Sequence, residues 1–229
     1  MLAILYDVHG NLPALEAVLA DATGAGADRW VLGGDYAAFG PWPAECVDRL
    51  RELEDSTWIR GNWERWQAHP DDAPAGNEVV QGAAAWCRAR LGHDAVVELG
   101  ALPTEASVRG TLFVHASPGS DMVPVSPEPE ERDHDLLTGV PEHRVVFGHT
   151  HVQFRRMSHD GKVELVNPGS VGEPWDGDDR AAYALLGEDG VELRRVAYDV
   201  ERCATALDAI GEEWSRVTAQ RLRLAKFDV

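Results

Sequence analysis

Seven side chains in this sequence have the chemistry of metal ligands and stand at the ends of successive apolar runs: Asp7, His9, Asp35, Asn62, His115, His149 and His151. Most of them sit beside glycine. Imidazoles, carboxylates and one amide oxygen make up the ligand types of a two-metal site. A carboxylate can bridge two cations, and Asp35, on the turn Gly33-Gly34-Asp35, is the candidate bridge. Two ions roughly 3.5–4 Å apart clamp a phosphoryl group and lower the pKa of a bound water. The chemistry this set points to is in-line attack of metal-bound hydroxide on phosphorus, with no protein nucleophile.

Such a set needs strands to deliver it. Leu2 to Tyr6 reads as a buried strand. In extended backbone residues i and i+2 share a face, so Asp7 and His9 are expected to aim at one point past its end. Gly10 permits a sharp turn. Asn11 then stands at the N-cap of a helix whose apolar residues Leu12, Leu15, Val18, Leu19 and Ala22 recur at helical spacing. Its amide has two readings, a helix cap or a contact to substrate phosphate. Arg29–Leu32 and Thr57–Ile59 read as strands running into Asp35 and Asn62, with a helix over Pro43–Glu54 between them. From Trp63 to about Leu99 the pattern is helical, broken around His69-Pro70, and is expected to form an insert at about 63–100 over the site. Thr111–Val114 and Val145–Phe147 are strands that end in His115 and in Gly148-His149-Thr150-His151. Between them lie a Pro- and Ser-rich loop from Ser117 to Pro129 and a short helix over Glu130–Leu137. Strands at Val152–Met157, Lys162–Val166, Ala181–Leu186 and Val191–Tyr198 follow, the last two forming a hairpin, and closing helices occupy about 200–227. No repeat or linker divides the chain, so a single domain over 1–229 is expected.

The formal net charge is −18. A chain this acidic is not built to coat a nucleic-acid backbone or an anionic membrane. The expected partner is a small phosphoester, admitted by a local cationic centre such as a metal, with no duplex nucleic acid and no membrane. Cys46, Cys87 and Cys203 are odd in number and far apart, which fits a reducing cytosol rather than a disulfide framework. The N-terminus shows no leader pattern, and a cytoplasmic location is expected.

The motifs Asp7-Val8-His9-Gly10-Asn11, Gly34-Asp35-Tyr36 through Gly40, Gly61-Asn62, Val114-His115, Gly148-His149-Thr150-His151 and Asn167-Pro168-Gly169-Ser170-Val171-Gly172 resemble, in order, those of the calcineurin-like metallophosphoesterases, and more narrowly their small bacterial phosphodiesterase branch. The resemblance covers about residues 1–186. It implies an α/β (α+β) fold, a four-layer α-β-β-α sandwich of two mixed β-sheets, with a dinuclear site at the strand ends. It also implies that Asp7, His9, Asp35 and His151 hold one divalent ion and that Asp35, Asn62, His115 and His149 hold the other. The mixed nitrogen and oxygen ligands suit Mn, Fe, Zn, Co or Ni.

One position departs from the family pattern. Many members carry His after the Gly-Asn pair, where it protonates the leaving oxygen, and this chain has Trp63 followed by Glu64. Indole is no general acid near neutral pH. Losing such catalysis costs roughly 10²–10⁴ in rate, least for an acidic leaving group such as a nucleotide phosphate. His69 is the candidate substitute donor, and Glu64 is the nearest carboxylate to orient an imidazole placed at 63. Arg60 and Arg65 flank Asn62 and either fork a phosphate or pair with surface carboxylates. The tryptophans Trp63, Trp66, Trp86 and Trp175 read first as core and second as a stacking surface for a base. His93, His134, His143 and His159 have no motif context and read as surface residues.

The function expected is metal-dependent hydrolysis of a small phosphodiester, a nucleotide foremost. The alternatives are a Ser/Thr-type protein phosphatase, suggested by Ile59-Arg60-Gly61-Asn62, a dinucleoside polyphosphate hydrolase, and a non-catalytic scaffold. A scaffold is free to lose ligands, whereas here every ligand position is filled.

Overall fold

The apolar runs that precede the ligands become strands because residues of both parities along them find a hydrophobic neighbour. In the computed structural model, which describes residues 1–229, the chain opens with β1 (Leu2–Leu5), α1 (Leu12–Gly24), β2 (Arg29–Leu32), α2 (Pro43–Arg51) and β3 (Ser56–Trp58). A helical stretch follows: α3 (Asn62–Ala68), a 3₁₀ turn (Pro70–Asp72), α4 (Glu78–Leu91) and α5 (His93–Gly100). Next come β4 (Glu105–Val108), β5 (Thr111–Val114), α6 (Asp133–Leu136), β6 (Arg144–Val146), β7 (Phe154–Met157) and β8 (Glu164–Asn167). The hairpin β9 (Ala181–Gly187) and β10 (Gly190–Val196) precedes α7 (Val200–Ile210) and α8 (Glu213–Leu224). No helix is long and apolar enough to cross a membrane.

The strands form two five-stranded mixed sheets, ordered β10-β9-β1-β2-β3 and β4-β5-β6-β8-β7. In the first, β1, β2 and β3 run parallel and β9 is antiparallel to β1; in the second, β5, β6 and β8 run parallel and the flanking β4 and β7 are antiparallel. Side chains alternate along β1. Leu2 and Ile4 face the second sheet, where they pack with Phe113, Val146 and Val166. Ala3 and Leu5 face outward to Leu15, Val18 and Leu50 of α1 and α2. Burial on both faces is why these strands read as continuous apolar runs. The outer face of the second sheet, through Leu112, Val114 and Val145, is covered by Val125, Leu136 and Leu137. Tyr6 ties the sheets together just below the site, its hydroxyl donating to the Val146 carbonyl at 3.1 Å.

A second, purely helical core stands beside the sandwich. Trp63 and Trp66 of α3, Ala83 of α4, Cys203 and Leu207 of α7 and Trp214 and Leu222 of α8 pack into one cluster. Helices from the middle and the end of the chain thus meet on one flank of the ligand cluster. The strand β4 was not expected: its residues alternate exposed and half-buried at a sheet edge, so it carries no apolar run. The expected short helix at Glu130–Leu137 is confined to Asp133–Leu136. The closing stretch is two helices, broken where Gly211 takes φ 81°.

Candidate metal centre

Strand ends deliver all seven candidate ligands to one cleft, but not in the expected backbone state. Asp7 and His9 are not extended; their φ angles are 55° and 48°. Asp35 (57°), His149 (66°) and His151 (56°) share this left-handed conformation. Asp and His tolerate it better than most residues, yet each such residue costs about 1–3 kcal/mol. Neighbouring loops hold the strained backbone in place. The Asp7, His9 and Gly10 amides donate to the carbonyls of Gly34, Asp35 and Tyr36 at 3.1, 2.9 and 2.9 Å. The motif glycines make this approach possible: a Cβ on Gly34 would lie 2.4 Å from the Gly61 nitrogen, and one on Gly61 would lie 2.2 Å from Asp35 Oδ1.

Two clusters result. Asp7, His9 and His151 form one, Asp35, His115 and His149 the other, with ligand atoms in each cluster within 4.8 Å of one another. In the first, the Nε2 atoms of His9 and His151 face each other at 3.0 Å, and Asp7 Oδ1 lies 4.0 and 3.6 Å from them. In the second, His115 Nε2 is 3.0 Å from Asn62 Oδ1, and the His115 and His149 rings are 5.3 Å apart. Asp35 Oδ2 stands between the clusters, 3.9 Å from His9 Nε2 and 3.4 Å from His115 Nε2. Its other oxygen is held by the Trp63 amide at 3.0 Å.

The surroundings orient these groups. His115 and His151 donate from Nδ1 to the carbonyls of Gly33 (2.9 Å) and Glu173 (2.5 Å), which turns their Nε2 atoms toward the cleft. His9 Nδ1 is buried without a hydrogen-bond partner. Asp7 Oδ2 accepts from the His149 amide at 3.0 Å, while Asp7 Oδ1 is buried with no partner. Glu64, 1% exposed, accepts backbone hydrogens from Asp35, Tyr36 and Gly61 at 2.8–2.9 Å. One carboxylate thereby clamps the two loops that carry Asp35 and Asn62. That role was missed in the sequence, where a glutamate three residues into a helix was its only signal. Ser170 similarly donates to the Asp7 carbonyl and accepts from the Glu173 amide, both at 2.8 Å.

Burial disfavours charge throughout the cleft. It pushes His9 and His149 down to about 4, His151 well below the ordinary imidazole value, and Asp7 well above the usual carboxylate range. For His115 burial is outweighed by Asp35, through charge and hydrogen bond, and by Asp7, which drive it up to about 10. Asp35 stays below its ordinary value despite burial because His115 and His9 face it. Two buried carboxylates, an unpaired Asp7 oxygen and converging imidazole lone pairs call for positive charge at their centre, which divalent cations provide. The donor set fits them.

Other expectations are corrected here. Asn11 does cap α1, accepting from the Ala14 amide at 3.2 Å, but its amide nitrogen donates to Gly172 and Tyr198 inside the fold and does not face the cleft. Arg65 closes its fork on Asp121 at 2.7 and 2.8 Å. Arg60 lies 3.7 Å from the same carboxylate, with a buried Nη1 that makes no hydrogen bond. Both arginines line a polar cavity of about 270 Å³ that reaches His115. Glu64 is committed to backbone amides and is not free to orient an imidazole. His69 is exposed at the end of α3 and lines neither cavity beside the centre. Trp63 is 4% exposed and packs edge-on to Phe39 and Trp66, with ring centroids 4.5 and 5.3 Å apart. It also lines a second cavity of about 390 Å³, whose floor includes His9, Asp35, Asn62 and His151.

Residues 1–190 match the calcineurin-like phosphoesterase superfamily domain, and the chain belongs to that superfamily. A metallophosphoesterase from Sphaerobacter thermophilus superposes with a TM-score of 0.84 at 26% identity, covering 98% of each chain. A hypothetical protein from Pyrococcus horikoshii OT3 shares the fold, with a TM-score of 0.79 at 20% identity over 95% of this chain and 98% of that one. An uncharacterized protein of Methanocaldococcus jannaschii is 29% identical over 221 residues, 88% of this chain and 89% of that protein. The protein is thus a metallophosphoesterase, a hydrolase of a family that works with divalent metals, and the two ligand clusters are its candidate metal sites.

Proposed function

We infer that the protein hydrolyses a small phosphodiester, a nucleotide, at the cleft between its two ligand clusters. The observation that carries this reading is Asp35 Oδ2 standing between His9 and His115, with two further side chains converging on either side. Asp7, His9, Asp35 and His151 would hold one divalent ion, and Asp35, Asn62, His115 and His149 the other. Ions so placed supply Lewis acidity, which acidifies water and draws charge from the phosphoryl oxygens of an in-line displacement.

The chain's own residues set the rest. Gly33, Glu173 and Glu64 hold the His115 and His151 rings and the Asp35 and Asn62 loops in register before substrate arrives, so no reorganisation is spent during the reaction. Arg60, a half-buried guanidinium lining the polar cavity that reaches His115, meets a phosphoryl oxygen, and the Arg65–Asp121 pair holds Arg60's surroundings in place. Outside the ligand set, no lining residue of the aromatic cavity is a proton donor of near-neutral pKa. The leaving oxygen therefore departs with its own charge.

The test is protein stripped of metal and reloaded with single divalent ions, assayed on phosphodiesters, monoesters and dinucleoside polyphosphates. Bis-nitrophenyl phosphate should be cleaved readily, alkyl monoesters poorly, and chelation should abolish turnover. Full activity after chelation, or none with any divalent ion, would overturn the reading.

A further inference from the structure

The aromatic cavity has an outer wall to which Arg221 and Phe227 contribute from beyond residues 1–190, the part of the chain that matches the family domain. Around its ligand floor run seven rings in sequence: Phe227, Trp175, His151, His9, Phe39, Trp63 and Trp66. Successive centroids are 4.6, 3.7, 4.7, 5.9, 4.5 and 5.3 Å apart. The two imidazoles in the middle belong to the candidate metal site. One aromatic arm rises on each side of them, and both arms line the same space of about 390 Å³. The arm made of Phe39, Trp63 and Trp66 is core. The other is open: Trp175 is half-buried, its ring lying 20° from parallel on His151, and Phe227 is 48% exposed. Exposed aromatic surface such as that of Phe227 stabilises the fold little and is available to a ligand.

The same wall carries the cavity's one arginine. The Arg221 guanidinium rests 4.2 Å from the Phe227 ring centroid, and its Nε donates to the Phe227 carbonyl at 3.0 Å. Its two terminal nitrogens make no hydrogen bond to protein. The buried Glu173 carboxyl makes no hydrogen bond to Arg221; burial pushes it up to about 7, against the pull of the Arg221 charge. At the opposite rim Asn77 spends its Oδ1 capping α4, which leaves its Nδ2 hydrogens free.

We propose that this cavity is a nucleoside subsite, with Trp175 and Phe227 giving the base a stacking face and Arg221 giving the adjoining phosphate a cation. The inference rests on the phosphodiesterase reading and adds to it which residues choose the substrate. Flat aromatic walls suit any base. A guanidinium with free terminal nitrogens at the wall suits an oxyanion. The volume falls in the range of small-ligand sites. The net charge of −18 favours a short nucleotide over a long polyanion. A lipid tail would use the apolar wall but leave Arg221 and Asn77 without a role.

The test compares two esters with the same leaving group, thymidine 5′-(p-nitrophenyl phosphate) and methyl p-nitrophenyl phosphate, on the full-length, metal-loaded protein. The ratio of their kcat/KM values should exceed about tenfold in the wild type and fall about tenfold in Phe227→Ala, the size of one base-stacking contact. Arg221→Gln should lower it as well. A wild-type ratio near one, or a ratio unchanged in both variants, overturns the subsite. Tryptophan fluorescence titrated with thymidine supplies a second readout that needs no turnover. Quenching that weakens several-fold in Phe227→Ala supports the subsite, and no quenching in the wild type overturns it. Hydrolysis of neither ester overturns the phosphodiesterase reading instead, and the titration then decides the subsite alone.

Discussion

Asp7 and Asp133 are both carboxylates with almost no solvent exposure, 0% and 3%, and their surroundings differ. Asp133 is closed on itself. Arg156 meets it with two hydrogen bonds of 2.6 and 2.9 Å, the His159 amide adds a third at 2.9 Å, and Arg156 also donates to the Ser126 carbonyl. Asp7 has one oxygen with no partner and faces imidazole nitrogens that point at each other. Around Asp133 the backbone is ordinary; Asp7 and four other candidate ligands take left-handed φ. A buried charge that is fully paired pins one loop to another. A buried charge left open, on strained backbone, is kept for something that binds.

The largest effect that sharpens this contrast is expected from Asp35→Asn. Turnover should fall by more than about 10²-fold, beyond the 10–100-fold typical of groups that only orient ligands, while the melting transition persists. Unchanged turnover would remove Asp35 from its place between the clusters. At the paired site the loss should be of stability instead. Asp133→Ala strands a buried guanidinium, and breaking a buried pair from one side costs about 3–5 kcal/mol. Activity per folded molecule should not change.

That stability has a pH signature. Burial works against the Asp133 charge, but Arg156 and the His159 amide outweigh it and hold the carboxyl below its usual range. A folded pKa below the unfolded one stabilises fully above the unfolded value, about 3.9, and the gain is lost as pH falls through the folded value. The gap in unfolding free energy between wild type and Asp133→Ala should be constant near neutral pH and shrink only in acid. A gap that grew as pH fell would contradict the pairing.

Asp7→Asn should do the reverse in metal-free protein. The amide keeps an acceptor for the His149 amide and removes a carboxylate whose charge burial disfavours most, with Asp35 adding to that and His115 opposing it. About 1 kcal/mol of relief should raise the melting temperature by about 2–4 °C in a chain of this size. Saturating divalent ion should invert the order, since it stabilises only the protein that binds it. A lower melting temperature for Asp7→Asn in chelator would mean that Asp7 is structural, as Asp133 is.

The candidate ligands were legible in the sequence because their chemistry is local: an apolar run, then a polar residue, most often beside glycine, repeated along the chain. Their backbone state was not. Alternation along a strand places Asp7 and His9 on one face, whereas hydrogen bonds from the Gly34–Tyr36 loop pull both into left-handed φ, and that loop is distant in sequence. Glu64 was legible only as a carboxylate beside Trp63; its three amide donors come from two different turns. The outer wall of the aromatic cavity was hidden for the same reason. Trp175 lies far in the chain from Arg221 and Phe227 and meets them only after the end of α8 packs on the loop that carries it. Strand β4, half-exposed at a sheet edge, had no apolar run to show.

The smallest effect is expected at His69, and it bears on how the reaction ends. An imidazole in the segment over the cleft was a reasonable candidate to protonate the leaving oxygen. The fold puts it elsewhere, exposed at the end of α3 with its amide bonded to the Arg65 carbonyl. The position nearer the centre belongs to Trp63, locked between Phe39 and Trp66. His69→Ala should therefore leave kcat/KM within about twofold across a series of aryl phosphodiesters, against the roughly 10²–10⁴ that removal of a working general acid costs. In the wild type the rate should drop steeply as leaving-group pKa rises, because charge on the departing oxygen goes unanswered by a proton. Trp63→His should not flatten that slope, since Glu64 is spent on three backbone amides and cannot orient the new ring. A shallow wild-type slope would show that a proton donor operates after all, and a slope that steepens in His69→Ala would identify His69 as that donor and show that the segment folds down over the cleft during turnover.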